Sequence, residues 1–100
     1  MPLAADGSAL RLKEDDDVAV ALRPLAPGAA VTFGGETVVV AAQIPTGHKF
    51  ATRPIAGGAL IRKYGQVTGR ATGAIATGEH VHVHNVEGTR GRGDLAEAPS

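Results

Sequence analysis

The sequence predicts an all-β domain built from short strands and hairpins. No stretch of helical length carries apolar residues at a spacing of about 3.6, and glycine interrupts nearly every candidate, so we expect at most one helical turn. Short apolar runs alternate with turns rich in glycine and proline, which is typical of β-proteins. The chain has two phenylalanines, one tyrosine and no tryptophan. Its core therefore has to consist mainly of Val, Leu, Ile and Ala.

Several stretches of the chain have the apolar runs or the alternation of strands. The clearest is a hairpin, because two β-branched runs flank the turn formed by Gly34 and Gly35. The stretches are residues 9–13, 18–22, 31–33 with 37–40, 59–63 and 80–84.

An internal repeat organises these strands. The pattern apolar-x-x-Gly-x-x-apolar occurs at residues 25–31, 44–50, 55–61 and 75–81. In each segment an apolar residue is followed by a turn that needs a positive φ at glycine, and then by a new strand. The segments start 19, 11 and 20 residues apart. This uneven spacing predicts two similar halves with a pseudo-twofold relation, because a solenoid requires an even period.

Composition limits the domain organisation and the classes of partner. Both ends are rich in small, polar and charged residues, so we predict flexible tails at residues 1–8 and 88–100 around one domain at residues 9–87. Ten basic residues balance ten acidic residues, which argues against nucleic acid as a partner. No apolar run approaches the ~20 residues that span a bilayer. The lack of cysteine and of a secretion signal predicts a cytoplasmic location.

The stretch 80–84 alternates histidine with valine. On a strand, His80, His82 and His84 would share one face, with neighbours roughly 7 Å apart. They would then form a cluster for metal binding or proton transfer. The alternative is the polar face of an amphipathic strand whose buried side is Val81 and Val83, and spacing alone favours it.

Two further pairs of residues are candidates for binding an acid. His48 and Lys49 follow Pro45 in a predicted turn, where they would clamp a carboxylate or donate a proton, or simply be exposed. Lys63 and Tyr64 would bind an acid through charge and hydroxyl. Otherwise they are an edge-strand lysine that discourages aggregation and a tyrosine that covers a small core.

Two other features are expected to be structural. The acidic run at residues 14–17 reads as a solvated loop, because its spacing matches no EF-hand loop. Arg23 and Arg53 occupy matching positions before two of the repeat segments, which favours a structural role for both.

Several of these blocks resemble a known family. Residues 51–61 resemble the core of a SAF domain, a β-clip module. More specifically, residues 47–51, 63–65 with 69–71, and 78–85 resemble the small domain of the altronate and galactarate dehydratases. The likeness covers about residues 9–86 in the same order. It implies a SAF-type β-clip fold.

The resemblance implies a hydro-lyase that removes water from an aldonate or aldarate such as altronate or galactarate. That reaction needs a base, a group that stabilises the enediolate, and an acid for the departing hydroxyl. The chain would be a small subunit, inactive alone, that completes an active site on a large subunit, and whether it is a natural subunit or a domain excised from a longer chain stays open. It would contribute the catalytic residues His48, His82 and His84 and the substrate-binding residues Lys49, Lys63, Tyr64 and Asn85.

The resemblance also implies a divalent metal, iron or manganese, held mainly by the large subunit, with His82 and His84 as ligands from this chain. The role of His80 is left open, as is self-association into a homo-oligomer. The family often has a histidine near the end of the first strand and an Asp-Asn pair after it, where this chain has Lys13 and the acidic run.

Three alternatives stay open at this stage. The chain could be the small subunit of a sulfolactate sulfo-lyase, a sister branch that eliminates sulfite. It could be a non-catalytic module that binds a sugar acid or docks a partner. It could also scavenge metal ions through its histidines, although no fixed fourth ligand is apparent.

Overall fold

The computed structural model describes residues 3–88, which form nine short strands and no helix. The all-β prediction is therefore confirmed, and the single helical turn is not found in the described range. None of residues 3–88 belongs to a helix that could cross a membrane. The strands are β1 (Ala9–Leu10), β2 (Val18–Ala21), β3 (Ala30–Phe33), β4 (Glu36–Val39), β5 (Lys49–Ala51), β6 (Leu60–Lys63), β7 (Gln66–Ala71), β8 (His80–Val81) and β9 (Val86–Glu87).

A four-stranded antiparallel sheet, in the order β1-β2-β5-β8, forms the middle of the domain. Side chains alternate between the two faces of a strand, and directly opposed residues share a face. Ala19 therefore lies beside Phe50 on one face, and Val18 lies beside Ala51 on the other. Both pairs are fully buried. The central sheet is thus covered on both faces, as expected from its mostly apolar residues.

Each face of the central sheet belongs to a separate apolar core. The first core joins Phe50 to the hairpin β3–β4, including Val31 and Val38. The second core joins Val18 to the three-stranded sheet β6-β7-β9, including Ile61. The predicted hairpin around Gly34 and Gly35 is therefore present, and it covers one half of the domain.

The four repeat segments have the same backbone conformation. Their glycines have φ values between 84° and 88°, which confirms the predicted left-handed turns. In each turn the glycine N–H donates a hydrogen bond to a carbonyl on a neighbouring strand. The first and second segments are bridged through Leu25 and Ile44, and the third and fourth through Ile55 and Ile75. Two similar halves result, as the sequence predicted.

The described part of the N-terminal segment is packed onto the domain. Ala4 is only 4% exposed, and its N–H donates to the carbonyl of Ala9. The N–H of Ala5 donates to the carbonyl of Thr32. Residues 3–8 are therefore part of the first half, not the flexible tail that the sequence predicted. The predicted C-terminal tail, apart from residue 88, lies outside the described residues.

The strand predicted at residues 80–84 is shorter than expected. Strand β8 ends at Val81, and residues 82–85 form a turn. Val83 is 82% exposed at that turn, so the interpretation that buried Val83 beneath a polar strand face is wrong. Lys49 was placed in a turn by the sequence but begins strand β5, while His48 does lie in the turn before it.

Candidate functional site

Three imidazoles meet where strands β5 and β8 pair. His80 lies opposite Phe50 in this pair, and His48 precedes β5, so the turn and the strand bring the two rings together. His48 Nδ1 is 2.9 Å from His80 Nε2, a hydrogen bond in which either ring can be the donor. The ring of His82 stacks on His48 with centroids 4.2 Å apart. We call His48, His80 and His82 the histidine triad.

A tight turn, not strand alternation, places His82 in the triad. The N–H of His82 donates to Asn85 Oδ1 at 2.9 Å, and Asn85 Nδ2 donates to the carbonyl of His80 at 2.9 Å. The N–H of Asn85 donates in turn to the carbonyl of His82 at 3.0 Å. We call residues 82–85 the histidine turn. Both polar groups of the Asn85 side chain are used within it, and its predicted contact with substrate stays a prediction.

His84 lies at the margin of the cluster. Its ring is tilted against that of His80, with centroids 5.3 Å apart, and the residue is exposed. The ring nitrogens that lie within 4.8 Å of one another belong to His48, His80 and His82. The sequence proposed His82 and His84 as metal ligands, whereas the structure groups His82 with His48 and His80. His80, whose role was left open, is the central ring of the cluster.

Burial and mutual repulsion favour neutral imidazoles. The pKa of His80 is lowered by burial first, and then by the nearby positive charges of the other histidines and Lys49. The pKa of His82 is lowered by desolvation first, and then by His48, Lys49 and His84. A neutral imidazole has a free lone pair, so these rings can accept a proton or bind a metal ion at neutral pH.

Two lysines add positive charge beside the triad. The pKa of Lys49 is lowered by burial and by the charge of Lys63 on the neighbouring sheet. The structure therefore brings these two predicted substrate-binding residues into electrostatic contact. Lys63 Nζ also lies 4.9 Å from the centre of the Tyr64 ring, a cation–π contact. The predicted residues Lys49, Lys63 and Tyr64 thus belong to one neighbourhood.

A buried carboxylate fixes the turn that carries Lys63 and Tyr64. Asp16 is 0% exposed and accepts backbone hydrogen bonds from Tyr64 at 2.8 Å, Gly65 at 2.8 Å and Lys13 at 3.2 Å. Tyr64 is held at a φ of 56°, a backbone conformation that residues other than glycine rarely adopt. The prediction of a solvated loop at residues 14–17 is therefore wrong for Asp16, although Glu14 and Asp15 are exposed.

The neighbouring Asp17 is also structural. It pairs with Arg53 at 2.8 Å and accepts the backbone N–H of Arg62 at 2.7 Å. Arg23 pairs with Asp6 at 3.0 Å. Both arginines therefore form ion pairs within the domain, and the structural role expected for them stays a prediction. A local sequence pattern does not reveal the roles of Asp16 and Asp17, because most of their partners lie 36 to 49 residues away along the chain.

Two shallow cavities flank the histidines. One, of about 250 Å³, is lined by residues that include Lys49, His82 and Val86. The other, also of about 250 Å³, is lined by residues that include His80 and His84. Both are smaller than the ~300–1,000 Å³ that is usual for a small-molecule site. A cavity of about 530 Å³ beside Arg11 includes none of the predicted site residues.

Comparisons with known proteins agree with this architecture. Residues 7–89 match the family described as the altronate/galactarate dehydratase SAF domain. The altronate dehydratase of Escherichia coli (strain K12) is 49% identical over 70 residues, which is 70% of this chain and 14% of that protein. The altronate dehydratase of Bacillus subtilis (strain 168) is 36% identical over 80 residues, which is 80% of this chain and 16% of that protein.

A shorter relative also matches. The (2R)-sulfolactate sulfo-lyase subunit alpha of Chromohalobacter salexigens is 49% identical over 47 residues, which is 47% of this chain and 50% of that subunit. The chain thus spans about one sixth of the altronate dehydratases and about half of this subunit. The family match covers most of the described residues, so the chain belongs to the altronate/galactarate dehydratase SAF domain family.

Proposed function

We propose that this chain is the small SAF subunit of a sugar-acid dehydratase and supplies histidines to an active site shared with a large subunit. The observation that carries the proposal is the convergence of three imidazoles beside Lys49, which in turn lies near Lys63. An aldonate or aldarate is an anion, and these two ammonium groups offer it complementary charge.

The residues suit the chemistry of water elimination. A base removes the proton next to the substrate carboxylate, electrons move into an enediolate, and the hydroxyl leaves with a proton from an acid. In the proposal, His48 and His82 together provide the general base. The lowered pKa of His82 keeps its imidazole neutral and ready to accept a proton. The exposed His84 protonates the departing hydroxyl. Lys49 and Lys63 bind the carboxylate.

The size of the cavities supports a composite site. Both cavities beside the histidines are open to solvent and smaller than a usual small-molecule site, so a second protein surface would have to close them around a substrate. We propose that the large subunit supplies this surface and holds most of the iron or manganese that the family resemblance implies. That ion would stabilise the enediolate as a Lewis acid.

The test is activity of the assembled enzyme. The chain is co-expressed with the large dehydratase subunit of the same organism, and ketoacid formation from altronate and galactarate is measured. We expect activity only when both subunits are present, and a loss of about 100-fold or more in His82→Ala and in His84→Ala. Arg23→Ala is the control, because its ion pair with Asp6 is exposed. Unchanged activity in both histidine variants would overturn the catalytic assignment.

A second candidate is the alpha subunit of a (2R)-sulfolactate sulfo-lyase. The observation that favours it is sequence identity. The alpha subunit of Chromohalobacter salexigens is 49% identical to this chain over 47 residues, the same percentage as the altronate dehydratase of Escherichia coli over 70 residues. The same base would act on a smaller acid, with sulfite as the leaving group. Sulfite release from sulfolactate by the assembled enzyme, without turnover of altronate or galactarate, would favour this candidate over the first.

A further inference from the structure

The histidine triad has the composition of a metal site that is complete within this chain. We propose that His48, His80 and His82 together bind one borderline divalent ion, such as Zn²⁺ or Co²⁺, with a fourth position open to water or substrate. This ion is separate from the iron or manganese assigned above to the large subunit. It would occupy the triad in the isolated chain and would have to leave before His48 and His82 act as the base, because a metal-bound nitrogen has no lone pair for a proton.

The distances between donor atoms carry the inference. One ring nitrogen from each histidine lies within 4.8 Å of the other two. Metal–nitrogen bonds of ~2.0–2.1 Å in a tetrahedral site place the ligand nitrogens roughly 3.3 Å apart. His48 Nδ1 and His80 Nε2 are already 2.9 Å apart. The His82 ring now stacks on His48, with 20° between the two ring planes. It would have to turn so that a nitrogen lone pair, which lies in the ring plane, points at the ion, and the ion would replace the proton shared by the other two rings.

The ligand type selects the class of ion. All three donors are imidazole nitrogens, which suit Zn²⁺, Co²⁺, Ni²⁺ and Cu²⁺ better than Ca²⁺ or Mg²⁺. Three protein ligands with one open position are also the arrangement of catalytic zinc sites, whereas structural zinc sites have four protein ligands. Three histidine ligands are therefore enough to bind a metal ion, and a fourth protein ligand is not required.

The backbone holds the three ligands in place before any ion binds. His80 belongs to strand β8, and His48 directly precedes its partner strand β5. Asn85 fixes the position of His82 through the hydrogen bond to its N–H. Ligands whose supporting groups are already ordered lose less entropy on binding. The backbone positions of the ligands are therefore preorganised, while the stacked rings have to turn to coordinate an ion.

The experiment uses the full chain without a partner. The chain is treated with EDTA, dialysed and titrated with Co²⁺, whose visible absorption reports tetrahedral coordination, and Zn²⁺ is then added to displace it. We expect one Co²⁺ per chain. His48→Ala, His80→Ala and His82→Ala should each weaken binding by more than about 100-fold, since even the groups that support a ligand contribute 10–100-fold. His80→Gln is made as well, because it fills the same space if the alanine variant unfolds.

His84→Ala is the matched control. His84 belongs to the same turn but not to the triad, so its loss should change the affinity less than about 3-fold, well below the effect of removing a ligand. Absence of Co²⁺ absorption in the parent chain would overturn the proposal, as would an equal loss in His84→Ala. Neither result depends on dehydratase activity, so this inference and the proposed function can fail independently.

Discussion

At the scale of single residues, Asn85 decides where the histidines lie. The sequence grouped His80 and His82 through strand alternation, but the strand ends at Val81 and the side chain of Asn85 bonds to the backbone of both histidines. Asparagine side chains commonly form hydrogen bonds to nearby backbone groups, and these bonds compete with the pairing of strands. Composition and order thus predicted the residues of the candidate site, while their arrangement depends on one side chain whose hydrogen bonds the pattern does not reveal.

The lowered pKa values of His80 and His82 predict a pH-dependent stability. The ordinary value is 6.5, and the folded chain holds both groups below it. Between the lowered values and 6.5 the unfolded chain binds more protons, so the free energy of unfolding rises with pH across this window and is fully gained above it. We expect the Tm of the EDTA-treated chain to fall as the pH is lowered below about 6.5, as measured by circular dichroism.

The control for this prediction removes one titrating group. His80→Gln keeps a polar side chain of similar size, and it should make the dependence of Tm on pH shallower. A parent chain whose Tm is constant or rises as the pH falls through this window would contradict the prediction. So would an unchanged slope in His80→Gln, because burial of His80 is the first cause of its lowered pKa.

Asp16 illustrates a residue that only the folded chain explains. Its carboxylate accepts three backbone N–H groups and holds Tyr64 in its left-handed conformation. Asp16→Asn replaces one carboxylate oxygen with an amide NH₂ group. This group is a donor, and it would face a backbone N–H that is also a donor. We expect a loss of about 2–3 kcal/mol in the free energy of unfolding, because hydrogen bonds to buried charged groups are strong. Urea denaturation measures this loss.

The neighbouring aspartate provides the comparison. Asp15 is exposed, so Asp15→Asn should change the free energy of unfolding by less than about 0.5 kcal/mol. Nuclear magnetic resonance should also show shifted amide signals around Tyr64 in Asp16→Asn but not in Asp15→Asn. Equal stabilities of the two variants would mean that the buried carboxylate does not support the turn that carries Lys63.

At the scale of elements, the repeat was predictable because its determinants are local. An apolar residue, a glycine and a second apolar residue define each turn, and all four glycines have the expected positive φ. Strand β7 was missed because Gln66–Ala71 is largely exposed and contains Gly69, so it has no apolar alternation. Its strand conformation depends on pairing with β6, to which a two-residue turn joins it, and with the short strand β9.

The glycines of the four turns are not equally replaceable. A Cβ atom on Gly78 would lie 2.0 Å from the carbonyl oxygen of Val39, whereas nothing lies within 4 Å of the corresponding position on Gly28. Their φ values are 86° and 88°, so the backbone strain of an alanine is the same at both. We expect Gly28→Ala to cost about 1–2 kcal/mol through strain alone. Gly78→Ala should cost roughly 3–5 kcal/mol, since overpacking adds to the strain.

Thermal and urea denaturation of the two variants test this difference. Because the strain is matched, the difference in stability isolates the contact between the fourth turn and the end of strand β4. That contact joins the two halves of the domain, and the carbonyl of Gly78 also accepts the N–H of Ala41 there. Equal destabilisation by the two substitutions would show that this close approach does not constrain the chain.

At the scale of the whole molecule, the two halves share one sheet. Strands β2 and β5 present Ala19 and Phe50 to the first core and Val18 and Ala51 to the second. The histidine triad lies where β5 pairs with β8, so it depends on the same sheet. If β2 or β5 left the sheet when one half unfolded, the core of the other half would lose side chains from that strand and become exposed. The halves should therefore unfold together, although each has its own apolar cluster.

Substitutions in the two cores test this cooperativity. Phe50→Ala removes one of the two phenylalanine side chains of the first core and should cost about 3–5 kcal/mol. Ile61→Ala in the second core should cost about 2–5 kcal/mol. Both residues are 0% exposed. In each variant, amide signals from hairpin β3–β4 and from sheet β6-β7-β9 should disappear at the same urea concentration, because the shared strands couple the cores. Unfolding of one half while the other keeps its native signals would instead show two independent units. The histidine triad would then be lost when the less stable unit unfolds.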